Sequence, residues 1–286
     1  MELETLEELS TAEKLSALRS IVESMLIYIG PDIEYVEVAS VSYRIARKVA
    51  PVEKLYESLI PKALSVSEQR AGSIRDSLED KPVDEAIPLL MRAAALATGY
   101  RLLDEPYRVL EEPPGYMDLV NARVGRDDSK VILDALRDIG SRGGMVYYVF
   151  GGSAELPYDM ALIERMRDEL GVEVVGVVRS GRFEDSATLG DLEKVGLASR
   201  LDDIITVSGG DALFYGDEGQ HVLRLLESAD LVFMKGELAA AFVHNSKLEA
   251  RVALLFTAAC PSIASAYGVG RGTVNILLLE AGGGLG

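Results

Sequence analysis

The sequence predicts an α/β protein, with a helical N-terminal subdomain followed by a doubly wound, mostly parallel α/β/α sheet domain. Three observations lead to this fold class. Apolar residues in the first part of the chain follow helical spacing, with almost no strand-like alternation. Two prolines and a glycine at residues 111–115 then form a linker that a helix does not continue. Beyond the linker, short apolar runs alternate with amphipathic segments, which is typical of βαβ units in a parallel sheet.

The N-terminal subdomain, residues 1–112, is predicted from repeated helical spacing. Thr11 supplies a capping hydroxyl, and apolar residues follow it at positions i, i+3 and i+4. The same spacing predicts further helices at residues 38–49, 52–65, 67–78 and 83–103. Glycine and proline punctuate the pattern, at Gly30-Pro31, Pro51, Pro61 and Lys81-Pro82.

The α/β domain, residues 116–286, is predicted from short apolar runs that strands buried on both faces of a sheet require. The predicted strands cover residues 145–150, 173–178, 203–207, 231–234, 251–257 and 273–279. The predicted helices between them cover residues 158–170, 188–195, 221–226 and 260–267.

Composition excludes several classes of protein. The chain has 286 residues and a net charge of −17, and nucleic-acid binding requires a basic face instead. Cys260 is the single cysteine, so the sequence offers neither an intrachain disulfide nor a cysteine metal site. No apolar run is long enough to span a bilayer, and the first residues do not resemble a signal peptide. We therefore expect a cytoplasmic protein that binds neither nucleic acid nor membrane, with its oligomeric state open.

The loop after the strand at residues 145–150 is the first candidate site. In an open α/β sheet, ligands bind beyond the carboxyl ends of the strands. Gly151, Gly152 and Ser153 could cradle a phosphate with backbone N–H groups and a hydroxyl, near the start of a helix. The alternative is a tight turn that needs glycine for backbone reasons.

Three further strand ends carry polar groups. Arg179 and Arg182 could bind an anion. Ser208 precedes a flexible glycine pair after the next strand. Lys235 ends a buried strand, where an ammonium is costly unless it meets an anion, although it could instead extend to water.

The helix that follows the loop with Arg179 and Arg182 leaves an alternative open. Asp185 or Ser186 could cap that helix and have no part in binding. The two histidines, His221 and His244, are far apart in sequence and have no neighbouring residues typical of a histidine metal site, so we favour a surface position for both. Cys260 precedes a proline without a histidine partner nearby, and we favour a structural role for it.

Four segments in this order carry a family resemblance. They are residues 147–159, 181–197 and 229–236, followed by Cys260-Pro261. Together they resemble the damage-control phosphatase family, also called domain of unknown function 89 and related to the acidic-residue methyltransferase-like proteins. The resemblance implies a Rossmann-like domain and a metal-dependent phosphatase acting on small phosphorylated metabolites. It also implies that a divalent ion is held by two aspartates and an asparagine, which are suitable oxygen ligands.

This sequence departs from the family pattern at the implied metal ligands. The family Asp-Asn pair falls on Gly151 and Gly152, and the family Asn-Asp pair falls on Asp185 and Ser186. The resemblance is retained at three charged positions, which are Glu155, Asp159 and Lys235.

The substitutions predict a divergent, archaeal-type member that binds a small phosphorylated metabolite or anion. We expect a lost or weakened metal site and little or no turnover. Two alternatives stay open: an active divalent-metal-dependent phosphatase with relocated ligands, and a non-catalytic interaction partner. We expect no resident cofactor beyond, at most, weakly bound Mn²⁺, Ni²⁺, Co²⁺ or Mg²⁺, because affinity for such ions depends on ligand charge.

The candidate residues follow from these readings. A relocated metal site would use Asp185 and Glu155, with Glu184 or Asp211 as further donors. If the protein is catalytically active, the candidate catalytic residues are Asp185 and Lys235. The candidate substrate-binding residues share a position at the strand ends and are Gly151, Gly152, Ser153, Arg179, Arg182, Ser186, Ser208 and Lys235.

Overall fold

A computed structural model describes most of the chain. The described residues are 7–28, 30, 35–102, 109–207, 209–212, 214, 217–246 and 248–281. Within them, a seven-stranded sheet is covered by helices, as the predicted fold class requires.

Helices make up the described part of the chain before the sheet. They are α1 (Thr11–Tyr28), α2 (Tyr35–Val49), α3 (Val52–Leu78), α4 (Val83–Ala97) and α5 (Tyr116–Asn121). The two helices predicted at 52–65 and 67–78 are the single helix α3, which accommodates Pro61 in its interior. The predicted helix 83–103 ends earlier, as α4, because the chain turns at Thr98 and Gly99.

The strands lie close to their predicted positions. They are β1 (Val124–Asp127), β2 (Met145–Val149), β3 (Glu173–Arg179), β4 (Asp203–Val207), β5 (Leu231–Lys235), β6 (Val252–Thr257) and β7 (Val274–Leu279). The six predicted strands are confirmed to within one residue at each end. β1 was not predicted, because all its residues are exposed and it lacks an apolar run.

The strand order places β2 and β5 at the point where the winding reverses. The order is β1-β7-β6-β5-β2-β3-β4, and the block from β6 to β4 is parallel. β7 runs antiparallel to β6, and β1 pairs with β7 at the sheet edge. The chain leaves β2 toward β3 on one side and leaves β5 toward β6 on the other. Ligands of such sheets bind beyond the carboxyl ends at this switch point.

Further helices connect the strands. They are α6 (Ser129–Ser141), α7 (Leu156–Leu170), α8 (Leu189–Lys194), α9 (Asp217–Leu226), α10 (Gly236–Asn245) and α11 (Pro261–Ala266). The rule that such crossovers are right-handed places α7 and α10 on opposite faces of the sheet, given this strand order. Three of the helices, α5, α6 and α10, were not predicted from the sequence. The last of these contains the run Leu238–Val243, which is apolar on every side and shows no helical period.

One continuous core joins the helices before the sheet to the sheet itself. Helix α4 packs against β6, β7, α6 and α7, and its buried side chains include Ile87, Leu90 and Met91. The division into two domains, at residues 112 and 116, therefore stays a prediction, and the hydrophobic core continues across it. Among the described residues, no helix combines the length and the apolar character that crossing a membrane requires.

Candidate functional site at the carboxyl edge of the sheet

The loops that follow β2 and β3 are joined by their backbones. Gly152 and Ser186 form an antiparallel bridge. Beside it, the Ala187 N–H donates to the Gly151 carbonyl at 2.8 Å. Main-chain hydrogen bonds therefore bring together two of the segments singled out in the sequence.

Side chains reinforce this junction. The Ser153 hydroxyl donates to Asp191 Oδ2 at 2.9 Å, and Arg182 donates to the same carboxylate at 2.8 Å. Arg182 also donates to Ser153 Oγ at 3.0 Å. Burial alone would raise the pKa of Asp191, but the hydrogen bond and charge of Arg182 hold that pKa below its ordinary value. Arg182 and Ser153, both predicted to bind an anion, thus share an internal carboxylate.

The helix after this loop is capped by a residue other than those proposed. Thr188 is the N-cap of α8, and its hydroxyl and N–H both donate to Asp191. The alternative in which Asp185 or Ser186 caps the helix is therefore wrong. Thr188 is the cap because Asp191, three residues later, completes a capping box with it.

Lys235 belongs to a closed group that we call the interior lysine cluster, formed with Glu155, Asp159 and Tyr148. The Lys235 ammonium lies 2.5 Å from Asp159 Oδ1 and 2.8 Å from Glu155 Oε2. Tyr148 donates to Asp159 at 2.7 Å. The Lys235 side chain is 0% exposed, so the alternative in which it extends to water is wrong. The anion that it needs is internal.

Burial sets the protonation of this cluster. Desolvation raises the pKa of Asp159 to about 6, although Lys235 partly opposes the shift. Burial would lower the pKa of Lys235, but the charges of Asp159 and Glu155 more than compensate and raise it. The lysine therefore stays charged at neutral pH.

The two glycines of the first loop make room for Glu155. A Cβ at Gly151 would lie 2.6 Å from Glu155 Oε2, and one at Gly152 would lie 2.9 Å from Oε1. The Gly152 N–H, a predicted phosphate donor, donates to Glu155 Oε1 at 3.0 Å. The glycines here accommodate a carboxylate from the same chain.

Arg179 is also engaged internally. It is 6% exposed, donates to the Asp211 carbonyl and lies 5.1 Å from the centre of the Phe183 ring. Burial lowers its pKa to about 10. The Asp211 carboxylate pairs with Arg44 at 2.6 Å. Ser208, the remaining candidate of this group, lies outside the described residues.

Arg101 was missed by the sequence analysis. Its Nε and Nη2 atoms each lie 3.2 Å from an oxygen of Asp185, and Nη2 lies 3.4 Å from Glu184 Oε2. We call Arg101, Glu184 and Asp185 the rim arginine cluster. Asp185, a predicted metal ligand and catalytic residue, is therefore paired with a guanidinium. The partners are 84 positions apart in sequence, so no short motif could reveal the pairing.

A junction between α4 and β6 places Arg101 over the sheet edge. Thr257, the last residue of β6, donates through its N–H to Thr98 Oγ1 at 2.9 Å. Its own hydroxyl donates to the Ala95 carbonyl at 3.0 Å. A Cβ at Gly99 would lie 2.9 Å from the Thr257 side chain, so glycine allows this close approach. The chain then continues to Arg101 at the carboxyl edge.

The carboxylates that the structure describes at this edge do not form a donor set for a divalent ion. Such an ion needs several oxygen ligands that converge on one point. Within the described residues, no group of three or more His, Cys, Asp or Glu side chains is placed to hold one. Glu155 and Asp159 instead face an ammonium, and Asp185 faces a guanidinium. As arranged, the described residues of this edge do not fit the ion.

The fold and the site define a doubly wound α/β protein whose polar loops meet at the switch point of its sheet. The model of the damage-control phosphatase ARMT1-like domain matches residues 7–274. The chain therefore belongs to the damage-control phosphatase ARMT1-like family, a metal-dependent family, and the predicted resemblance is confirmed.

Two individual proteins are also similar to this chain. An uncharacterized protein from Methanocaldococcus jannaschii is 22% identical over 271 residues, which cover 93% of this chain and 86% of that protein. The crystal structure of a DUF89 family protein from Pyrococcus horikoshii superimposes with a TM-score of 0.73 at 17% identity. That match covers 97% of this chain and 92% of the other, and at this identity it shows the fold alone.

Proposed function

We propose that the protein binds a small phosphorylated metabolite or related anion at the carboxyl edge of its sheet, with a lost or weakened metal site and little or no turnover. One observation carries this proposal. Four carboxylates at the edge pair with the chain's own Lys235, Arg101 and Arg182, so fixed cations stand beside them, and these carboxylates are Glu155, Asp159, Asp185 and Asp191. A divalent ion would have to compete with these cations for the same oxygens.

The location of positive charge supports an anionic ligand. The chain as a whole carries a net charge of −17, yet Arg101, Arg179 and Arg182 lie together at this edge, where Arg101 and Arg182 pair with carboxylates of the chain. Guanidinium groups match the geometry of phosphate oxygens. The same net charge and the single cysteine support a cytoplasmic protein that binds neither nucleic acid nor membrane.

A ligand screen tests the proposal. Thermal unfolding of the purified full chain is followed with glucose 6-phosphate, inorganic phosphate or glucose, each with EDTA or with Mn²⁺, Ni²⁺, Co²⁺ or Mg²⁺. We expect the two phosphates to stabilise the protein with or without the ions, and glucose to have no effect. A ligand at a hundred times its Kd stabilises by about 2.7 kcal/mol, which unfolding detects. If neither phosphate stabilised the protein, the proposal would be refuted, and the alternative of a non-catalytic interaction partner would be favoured.

An active phosphatase is the second candidate, because the family is metal-dependent and Glu184 and Asp185 are adjacent carboxylates at the rim. Hydrolysis of a simple phosphate ester, measured with each ion, separates the two. Turnover that the ion stimulates and that Asp185→Ala abolishes would establish the phosphatase. We expect neither, together with a low divalent-ion content in the protein as purified.

A further inference from the structure

Four cations at the sheet edge differ in their access to solvent. The Lys235 side chain is 0% exposed and that of Arg182 is 14% exposed. Arg179 is buried as well. The Arg101 side chain, in contrast, is 38% exposed. Arg44 is more exposed, at 47%, but it pairs with Asp211 after β4, a strand at the outer edge of the sheet. Because an incoming ligand meets exposed donors first, Arg101 is the one of the other four that it contacts directly.

We propose that Arg101 is the anion-binding residue of this edge and that it binds the phosphate of a phosphomonoester without a divalent ion. This assignment rests on the proposed function and names the group that performs it. Asp185 is the positioning residue, since it holds the guanidinium along one side. Glu184 is an internal anion that the phosphate displaces.

The distances within the rim arginine cluster suit such an exchange. Charge-assisted hydrogen bonds between nitrogen and a carboxylate usually measure about 2.7–2.9 Å. The contacts of Arg101 with Asp185 measure 3.2 Å, and its contact with Glu184 measures 3.4 Å. The Glu184 contact is the longest and involves a single carboxylate oxygen, so it is the first that a ligand replaces.

The backbone at Glu184 adds a second observation. Its φ of 47° makes it the non-glycine residue with a positive φ within the described chain. The left-handed region is disfavoured for residues with a Cβ, and such strain concentrates at ligand clamps and switches. Here the strained conformation points the Glu184 carboxylate at the Arg101 guanidinium.

Phosphate chemistry explains why the exchange is favourable. A phosphomonoester carries close to two negative charges at neutral pH and several strong acceptor oxygens, whereas Glu184 offers one charge. The planar guanidinium can donate two parallel hydrogen bonds to it. Asp185 meanwhile keeps the side chain in place through its two oxygens.

Calorimetric titration with glucose 6-phosphate in EDTA tests the assignment, and inorganic phosphate and glucose separate the phosphoryl group from the sugar. We expect Arg101→Ala to weaken binding by at least about tenfold, as losing a charged hydrogen-bond partner does. Arg101→Lys keeps the positive charge but loses the paired donors of the guanidinium, so its affinity should lie between those of the wild type and Arg101→Ala. Glu184→Gln removes the competing charge and should tighten binding by about threefold or more.

Arg137→Ala is the matched control. Arg137 lies on α6, its side chain is 42% exposed, and it pairs with Asp84 and Asp134. Its removal should leave binding unchanged. If Arg101→Ala binds as tightly as the wild type, or if Glu184→Gln binds more weakly, the assignment is overturned while the proposed function stands. If the wild type does not bind either phosphate, both are overturned.

Discussion

The interior lysine cluster and the rim arginine cluster are built from the same parts, with one cation facing two carboxylates, but they meet water differently. The Lys235 side chain is fully enclosed and lies 2.5 and 2.8 Å from its partners. The Arg101 side chain is more than a third exposed, and its contacts with Asp185 and Glu184 measure 3.2 to 3.4 Å. Both clusters lie at the carboxyl edge of the same sheet.

This difference separates a structural role from a binding role. In an enclosed cluster, removing one charge leaves the others buried without compensation, so the group is rigid and important for stability. At an exposed edge, water and salt weaken each pair, and partners can exchange at little cost. Equal composition therefore does not imply equal function, and burial decides which cluster can accept a ligand.

The largest expected effect is on stability in the interior. Lys235→Met leaves two buried carboxylates without their cation, and should lower the free energy of unfolding by about 3–5 kcal/mol. The control is Lys194→Met, since Lys194 pairs with Asp191 at 3.5 Å and its side chain is 59% exposed. That change should cost less than about 1 kcal/mol. Urea unfolding measures both, and equal losses would contradict the comparison.

A pH dependence comes next in size. Folded Asp159 has a pKa of about 6, whereas its ordinary value is 3.8. The folded state therefore takes up this proton first, so its stabilising contribution is complete below 3.8 and is lost as pH rises through about 6. Relative to Asp159→Asn, the wild type should gain about 3 kcal/mol as pH falls through this window. Urea unfolding across that pH range measures this gain. A constant difference in the free energy of unfolding between the two proteins would contradict the raised pKa of Asp159.

The glycine loop should show an intermediate effect. At Gly151, an alanine Cβ would lie 2.6 Å from the Glu155 carboxylate and force it away from Lys235. We expect Gly151→Ala to destabilise the protein by about 1–3 kcal/mol. Gly72, inside α3, has no atom within 4 Å of such a Cβ, so Gly72→Ala should stabilise by about 0.5–1 kcal/mol. Opposite signs in thermal unfolding are the expected result, and a neutral Gly151→Ala would show that Glu155 adjusts freely.

The smallest effect on stability is expected at the rim. Arg101→Ala should lower the free energy of unfolding by clearly less than Lys235→Met does, because the Arg101 side chain is 38% exposed and its partner Asp185 is only partly enclosed, at 14% exposed. A loss similar to that of Lys235→Met would assign Arg101 a structural role. A small loss, combined with the weakened phosphate binding expected above, would complete the contrast between the two clusters.

Short-range patterns revealed the fold and the loops that carry the site. The strands around Met145–Val149 and Leu231–Lys235 follow from continuous apolar runs, and the family from segments whose order is visible in the sequence. Helix α10 was missed because its apolar residues cover every side, which removes the helical period. The edge strand β1 was missed for the opposite reason, since it buries no residue.

The partners of the charged side chains lay beyond such patterns. Lys235 meets Asp159 across 76 positions of sequence, and Arg101 meets Asp185 across 84. Whether a lysine at a strand end reaches water or a carboxylate depends on which helix lies opposite, and only the folded arrangement sets this. The sequence therefore identified Lys235 and Asp185 as charged residues of interest without showing that each already has a partner.

The close packing of Glu155 against Gly151 has an evolutionary consequence. Any side chain at position 151 starts with a Cβ 2.6 Å from the Glu155 carboxylate. An aspartate introduced there would disturb the Lys235 ion pair before it provided an ion ligand. Such a change therefore requires that Glu155 or Lys235 be accommodated first. The present glycine is easier to keep than to replace, since every larger residue meets the same carboxylate.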